Sequence, residues 1–64
     1  MNWNDAKIKL ALGAKISNGP MGKDSAYLCM RDGSILRVNS DEEVIHGWMP
    51  SLSEKVTDDW KIIT

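Results

Sequence analysis

The chain has 64 residues, a formal net charge of −1 at pH 7 and one cysteine. That length allows one domain, spanning residues 1–64, which buries only about 60% of its unfolded surface. An intramolecular disulfide is excluded, the dispersed lysines and arginines form no basic stripe for DNA or RNA, and no window approaches the roughly 20 apolar residues that span a bilayer.

Small domains commonly gain stability from disulfides, metals or partner subunits. His46 has no second histidine or thiol at metal-ligand spacing, so neither a metal nor another cofactor is expected. Self-association remains, and a homo-oligomer is expected, dimer or tetramer. The lone Cys29, inside the apolar run "AYLCM", reads as a buried, inert thiol and suits a reducing compartment. The first residues lack the charged and apolar regions of a signal peptide, so a soluble cytoplasmic protein is expected, with no membrane partner.

Asn2 is placed to cap a helix with Asp5 in its first turn. From Trp3 to Leu12, "WNDAKIKLAL" puts Trp3, Ala6 and Leu10 on one side, widened by Ile8, Ala11 and Leu12. Gly13 supplies a left-handed stop. "AKIS", Ala14 to Ser17, follows as a short strand. "NGPMGK", Asn18 to Lys23, reads as a glycine-rich turn, since it lacks the spacing of a phosphate loop.

"SAYLCMR" alternates, with Ala26, Leu28 and Met30 on one face and Tyr27, Cys29 and Arg31 on the other. Asp32-Gly33 is a two-residue hairpin signal. "SILRV" returns as the next strand, with Ile35 or Leu36 in the core depending on register. "NSDEE", Asn39 to Glu43, is a polar turn. "VIHGW", Val44 to Trp48, joins the sheet and ends before Pro50. Ser51 with Glu54, or Ser53 alone, caps a short helical turn through Val56, with Asp58 and Asp59 at its exit. "WKII" closes as the last strand. The expected fold class is α+β, with an N-terminal helix packed on a small antiparallel sheet of about four or five strands and a short helical turn before the last.

Little in the sequence supports catalysis. Glu42 and Glu43 are adjacent and point apart if extended, as do Asp58 and Asp59. His46 and Cys29 lie on different strands with no motif around either. The chain reads as a non-enzyme. Binding is better served by three tryptophans and a tyrosine in a chain without phenylalanine. Trp3 and Trp60 read as core. Trp48, before Met49, Pro50 and Ser51 at a strand end, is either core or a stacking platform for a base. Lys23 and the amides of the glycine turn suit a phosphate, and Asp58 or Asp59 suits ribose hydroxyls.

The order of these parts resembles a family of small phage proteins, the second Thoeris anti-defence protein and its relatives, which includes a type II anti-CRISPR protein. The opening helix, glycine stop and Lys-containing strand of the family are similar to "WNDAKIKLALGAKIS". Its Gly-Trp-Asn-Gly-Lys-like loop and apolar strand are similar to "NGPMGKDSAYLCM". The run "AYLCMRDGSI" resembles its strand and Asp-Gly turn, and the specific closing block resembles "GWMPSLSEKVTDDWKII". The likeness covers nearly the whole chain in shortened form. A longer insert between strand pairs is missing, and Pro20 or Met21 stands where the loop tryptophan would be.

The resemblance implies an oligomeric protein in the cytoplasm of an infected bacterium. It would sequester a cyclic nucleotide messenger, such as cyclised ADP-ribose or a cyclic oligonucleotide, without cleaving it, at sites between subunits. The ligand-binding residues then expected are Lys23, Tyr27, Trp48, Met49, Ser51, Asp58 and Asp59. The alternative is a protein-binding inhibitor of a bacterial defence enzyme such as a CRISPR nuclease.

Overall fold

The computed structural model describes residues 1–63. Helix α1 (Trp3–Ala11) starts where Asn2 accepts from the Asp5 amide, and it buries Trp3, Ala6 and Leu10. That is the stripe expected from the spacing. The widened sector is not buried: Ile8 is 58% and Leu12 76% exposed. The carbonyls of Ile8 and Lys9 both accept from the Leu12 amide, and Gly13 turns out at φ +96°.

Strand β1 (Lys15–Ser17) leads into α2 (Gly19–Lys23), a five-residue helix where the sequence reading has a turn. Two local features hold it. Asn18, itself buried, caps the helix by accepting from the Met21 amide at 2.9 Å, and Pro20 sits in the first turn, where a missing N–H costs nothing. Met21 then drops into the core.

Strands β2 (Tyr27–Arg31) and β3 (Ser34–Val38) form the expected hairpin. Asp32 and Gly33 both take positive φ, as a tight two-residue turn requires. Strand β4 (Val44–His46) is shorter than expected. It ends at Gly47, φ +64°, which leaves Trp48 outside the strand. Helix α3 (Leu52–Val56) opens with a reciprocal capping box between Ser51 and Glu54, and β5 (Lys61–Ile63) completes the chain.

The five strands form one antiparallel sheet in the order β4-β3-β2-β1-β5. This is the α+β fold expected from the sequence. Helix α1 packs over β1, β2 and β5. The core on that side comprises Trp3, Ala6, Leu10, Ile16, Met21, Ala26, Leu28 and Trp60, with Met30, Ile35 and Trp48 at its margin. Alternation along the strands sends Lys15, Tyr27, Cys29, Arg31, Leu36, Val38, Val44 and His46 to the opposite face. No described element covers that face. The register question is thereby settled: Ile35 faces the helix, and Leu36 is buried on the other side.

Candidate functional site: the open sheet face

The uncovered face is built by register. Cys29 pairs with Leu36, and Leu36 with His46, across three adjacent strands. Tyr27 pairs with Val38, and Val38 with Val44, in the next row. Leu36, between Cys29 and His46, is only 4% exposed. The result is an apolar floor of Leu36, Val38 and Val44. Lys15, Tyr27, Arg31 and His46 stand around a cavity of about 440 Å³. Lys15 Nζ lies 5.1 Å from the centroid of the Tyr27 ring, a cation–π approach that orients both groups. Among the described residues the cavity lining contains no carboxylate.

Chemically the face offers one aromatic plane, two exposed cations, an imidazole and a greasy base. Cys29 is half-buried here rather than buried in the core. It shares the face with His46, and Leu36 lies between them. No group of three or more His, Cys, Asp or Glu side chains is placed to hold a metal ion among the described residues.

The residues expected to bind ligand do not converge. Tyr27 alone lies on the open face. Lys23 ends α2 and lines a separate polar depression with Asp24, Arg37 and Asn39. Met49 and Pro50 line a groove between Trp3, Lys7 and Lys55, and Ser51 is engaged as the cap of α3. Trp48 is half-buried and packs edge-on against Trp3 and Trp60, with ring centroids 6.3 and 6.4 Å away. Trp3 and Trp60 lie closer still, at 4.9 Å, and the Trp60 indole N–H donates to the Glu54 carbonyl at 2.9 Å.

The acidic pair is structural in part. Asp59 Oδ2 accepts from the Gly19 amide at 3.1 Å, tying the start of β5 to α2. That bond, followed by one from Thr57, holds the Asp59 carboxyl below its ordinary pKa. A Cβ at Gly19 would sit 3.0 Å from the same oxygen. The Asp58 carbonyl accepts from the Met1 amine at 3.2 Å, and the Trp60 carbonyl does so at 2.7 Å.

Sequence reasoning missed Lys15, Arg31 and His46 as members of one site. The alternation of Tyr27, Cys29 and Arg31 was visible, but the pairing that adds Lys15 from β1 and His46 from β4 was not. No helix among the described residues is long and apolar enough to cross a membrane. Compared with protein-family models, curated proteins and solved structures, the chain gives no match.

Proposed function

We propose that this chain is a non-enzymatic binding protein that sequesters a cyclic nucleotide messenger of bacterial immunity on its open sheet face. The observation that carries the reading is the cavity itself, with an apolar floor, the Tyr27 ring and the cations Lys15 and Arg31. A base stacked on Tyr27 would gain about 1–3 kcal/mol, and phosphate oxygens would meet Lys15, Arg31 and the His46 imidazole. The cavity volume falls within the span of small-molecule sites, about 300–1,000 Å³. A sponge needs tight stoichiometric binding and no turnover, and nanomolar affinity corresponds to roughly −12 kcal/mol. The likeness of the closing block "GWMPSLSEKVTDDWKII" to anti-defence proteins supplies the messenger class and the setting, the cytoplasm of an infected host. Self-association, expected from the small size of the chain, belongs to the same reading.

The test is a thermal-shift panel of cyclised ADP-ribose isomers and cyclic di- and trinucleotides. At a hundredfold excess over Kd, one ligand should stabilise the protein by about 2.7 kcal/mol. For so small a domain that is a rise of roughly 10–20 °C. Lys15→Ala should abolish the shift while lowering the melting point of the free protein by no more than its exposed cation–π contact contributes, about 0.5–1 kcal/mol or roughly 2–8 °C. Heating the complex should return the messenger intact. A flat panel would overturn the reading.

A second reading has its own observation. Met49, Leu52 and Val56 are 74%, 79% and 76% exposed around α3. Such side chains suit a protein surface, as in an inhibitor of a CRISPR nuclease. Co-elution of the chain with a type II nuclease, lost on Leu52→Asp, would favour it over the messenger.

A further inference from the structure

Strand β4 is an edge strand, bonded to β3 on one side only. Its free side can be worked out from two hydrogen bonds. The Asn39 amide donates to the Glu43 carbonyl at 2.9 Å, which makes that a hydrogen-bonded pair. Antiparallel ladders alternate, so Arg37 and Ile45, two residues on, bond in the same way. The next such position is Ile35, whose carbonyl accepts from Trp48 at 3.0 Å instead of from Gly47. A bulge with Gly47 in the left-handed region explains the offset. It follows that the amide and carbonyl of Ile45 point into the sheet, while those of Val44 and His46 point outward.

The edge has two of the usual safeguards, its shortness and the bulge at Gly47, and lacks the others. β4 carries no lysine, proline or inward charge, and Val44 and Ile45 are 42% and 40% exposed. The opposite edge, β5, begins with Lys61. Left-handed residues bound β4 on both sides, Glu42 at φ +66° and Gly47 at φ +64°. What remains is a three-residue strand with two outward-facing residues placed symmetrically about Ile45.

That symmetry selects the occupant. We propose that β4 pairs antiparallel with β4 of a second copy about a two-fold axis through Ile45, joining two five-stranded sheets into one of ten. In this register Ile45 faces Ile45 of the second copy, and Val44 faces His46. The two outward residues of each copy then exchange four main-chain hydrogen bonds, and no exposed group is left over. Glu43 falls opposite Gly47, so like charges do not meet. The interface is isologous and closes on itself. It also places the two open faces side by side, since Val44 and His46 line each cavity. The argument uses the backbone alone and stands whether or not the face binds a nucleotide.

Analytical ultracentrifugation of the full chain at millimolar concentration tests it, together with two variants. The wild type should sediment as a multiple of the 7.2 kDa protomer. Val44→Pro removes one outward N–H and no bond to β3, and Ile45→Lys sets two cations against each other on the axis. Each should halve the mass while the circular dichroism spectrum stays unchanged. A second measurement stands if a variant misfolds. In a Cys29→Ser background, Ile45→Cys should form a disulfide-linked dimer on mild oxidation, because a non-hydrogen-bonded pair holds its Cα atoms about 4.5 Å apart. Ile8→Cys on α1, at a position more exposed than Ile45, 58% against 40%, should not. A monomeric wild type, folded variants that keep its mass, or equal cross-linking at both cysteines would each overturn the proposal.

Discussion

Replacing Trp48 with alanine separates a packing role from a ligand role. The ring makes two edge-on contacts, with Trp3 and Trp60, and is half-buried at the margin of the core. Full deletion of a buried aromatic costs about 3–5 kcal/mol, so the half-buried transfer part is about 2. Each aromatic pair adds about 0.5–1.5 kcal/mol beyond area. With both pair contributions at their low end the working total is about 3 kcal/mol, against a stability of roughly 3–10 kcal/mol for a domain of this length. The melting temperature should fall by roughly 12–24 °C. Trp48→Phe, which keeps a ring against both partners, should lose less than half of that. Thermal melts followed by circular dichroism are sufficient, because the loss is large. If Trp48→Ala melts within about 3 °C of the wild type, the aromatic cluster does not hold this ring, and Trp48 returns as a candidate for ligand stacking.

Trp60→Phe keeps the apolar ring and deletes the N–H that reaches the Glu54 carbonyl; that oxygen also accepts from Thr57 Oγ1 at 3.1 Å, so the loss should be about 1 kcal/mol in urea melts, at the low end for a lost bond. An unchanged urea midpoint would deny the bond a role. Asn18→Ala removes the cap on the Met21 amide and should cost about 0.5–2 kcal/mol, with Asn18→Asp recovering most of it. Asp59→Asn should lower stability at neutral pH and flatten the acid limb. The Asp59 carboxyl is held below its ordinary value, so its contribution is present above the unfolded pKa, about 3.9, and is lost as pH falls through the folded one. The wild-type advantage should therefore be constant above about pH 5 and close on acidification; parallel acid limbs for the two proteins would refute the assignment.

The parts of the fold that could be read ahead are those whose signals are local. Trp3, Ala6 and Leu10 share a helical stripe, Asp32-Gly33 carries the turn of a hairpin, and Ser51 with Glu54 closes a capping box within four residues. Helix α2 escaped because three of its five residues are Gly or Pro, which propensity counts against a helix. What sustains it is partly positional, the Asn18 cap and Pro20 in the first turn. The rest is distant, the Met21 side chain in the core and the Gly19 bond to Asp59, 40 residues along the chain.

The same distinction governs the candidate site. Grouping aromatics, a lysine and two aspartates by their nearness to loops assumed that sequence neighbours share a surface. In a five-stranded sheet the surface is set by register instead, and a shift of one residue would exchange its two faces. The three tryptophans all gather on the helix side, where a small domain needs its largest side chains to build one core. Tyr27 is then the one aromatic of the chain left for the other face, beside Lys15. The aromatic richness that suggested a ligand thus divides by function of place. Three rings hold the helix to the sheet. The fourth stands on the other face beside Lys15, with Arg31 at the far end of the same strand, over an apolar floor that no described element covers.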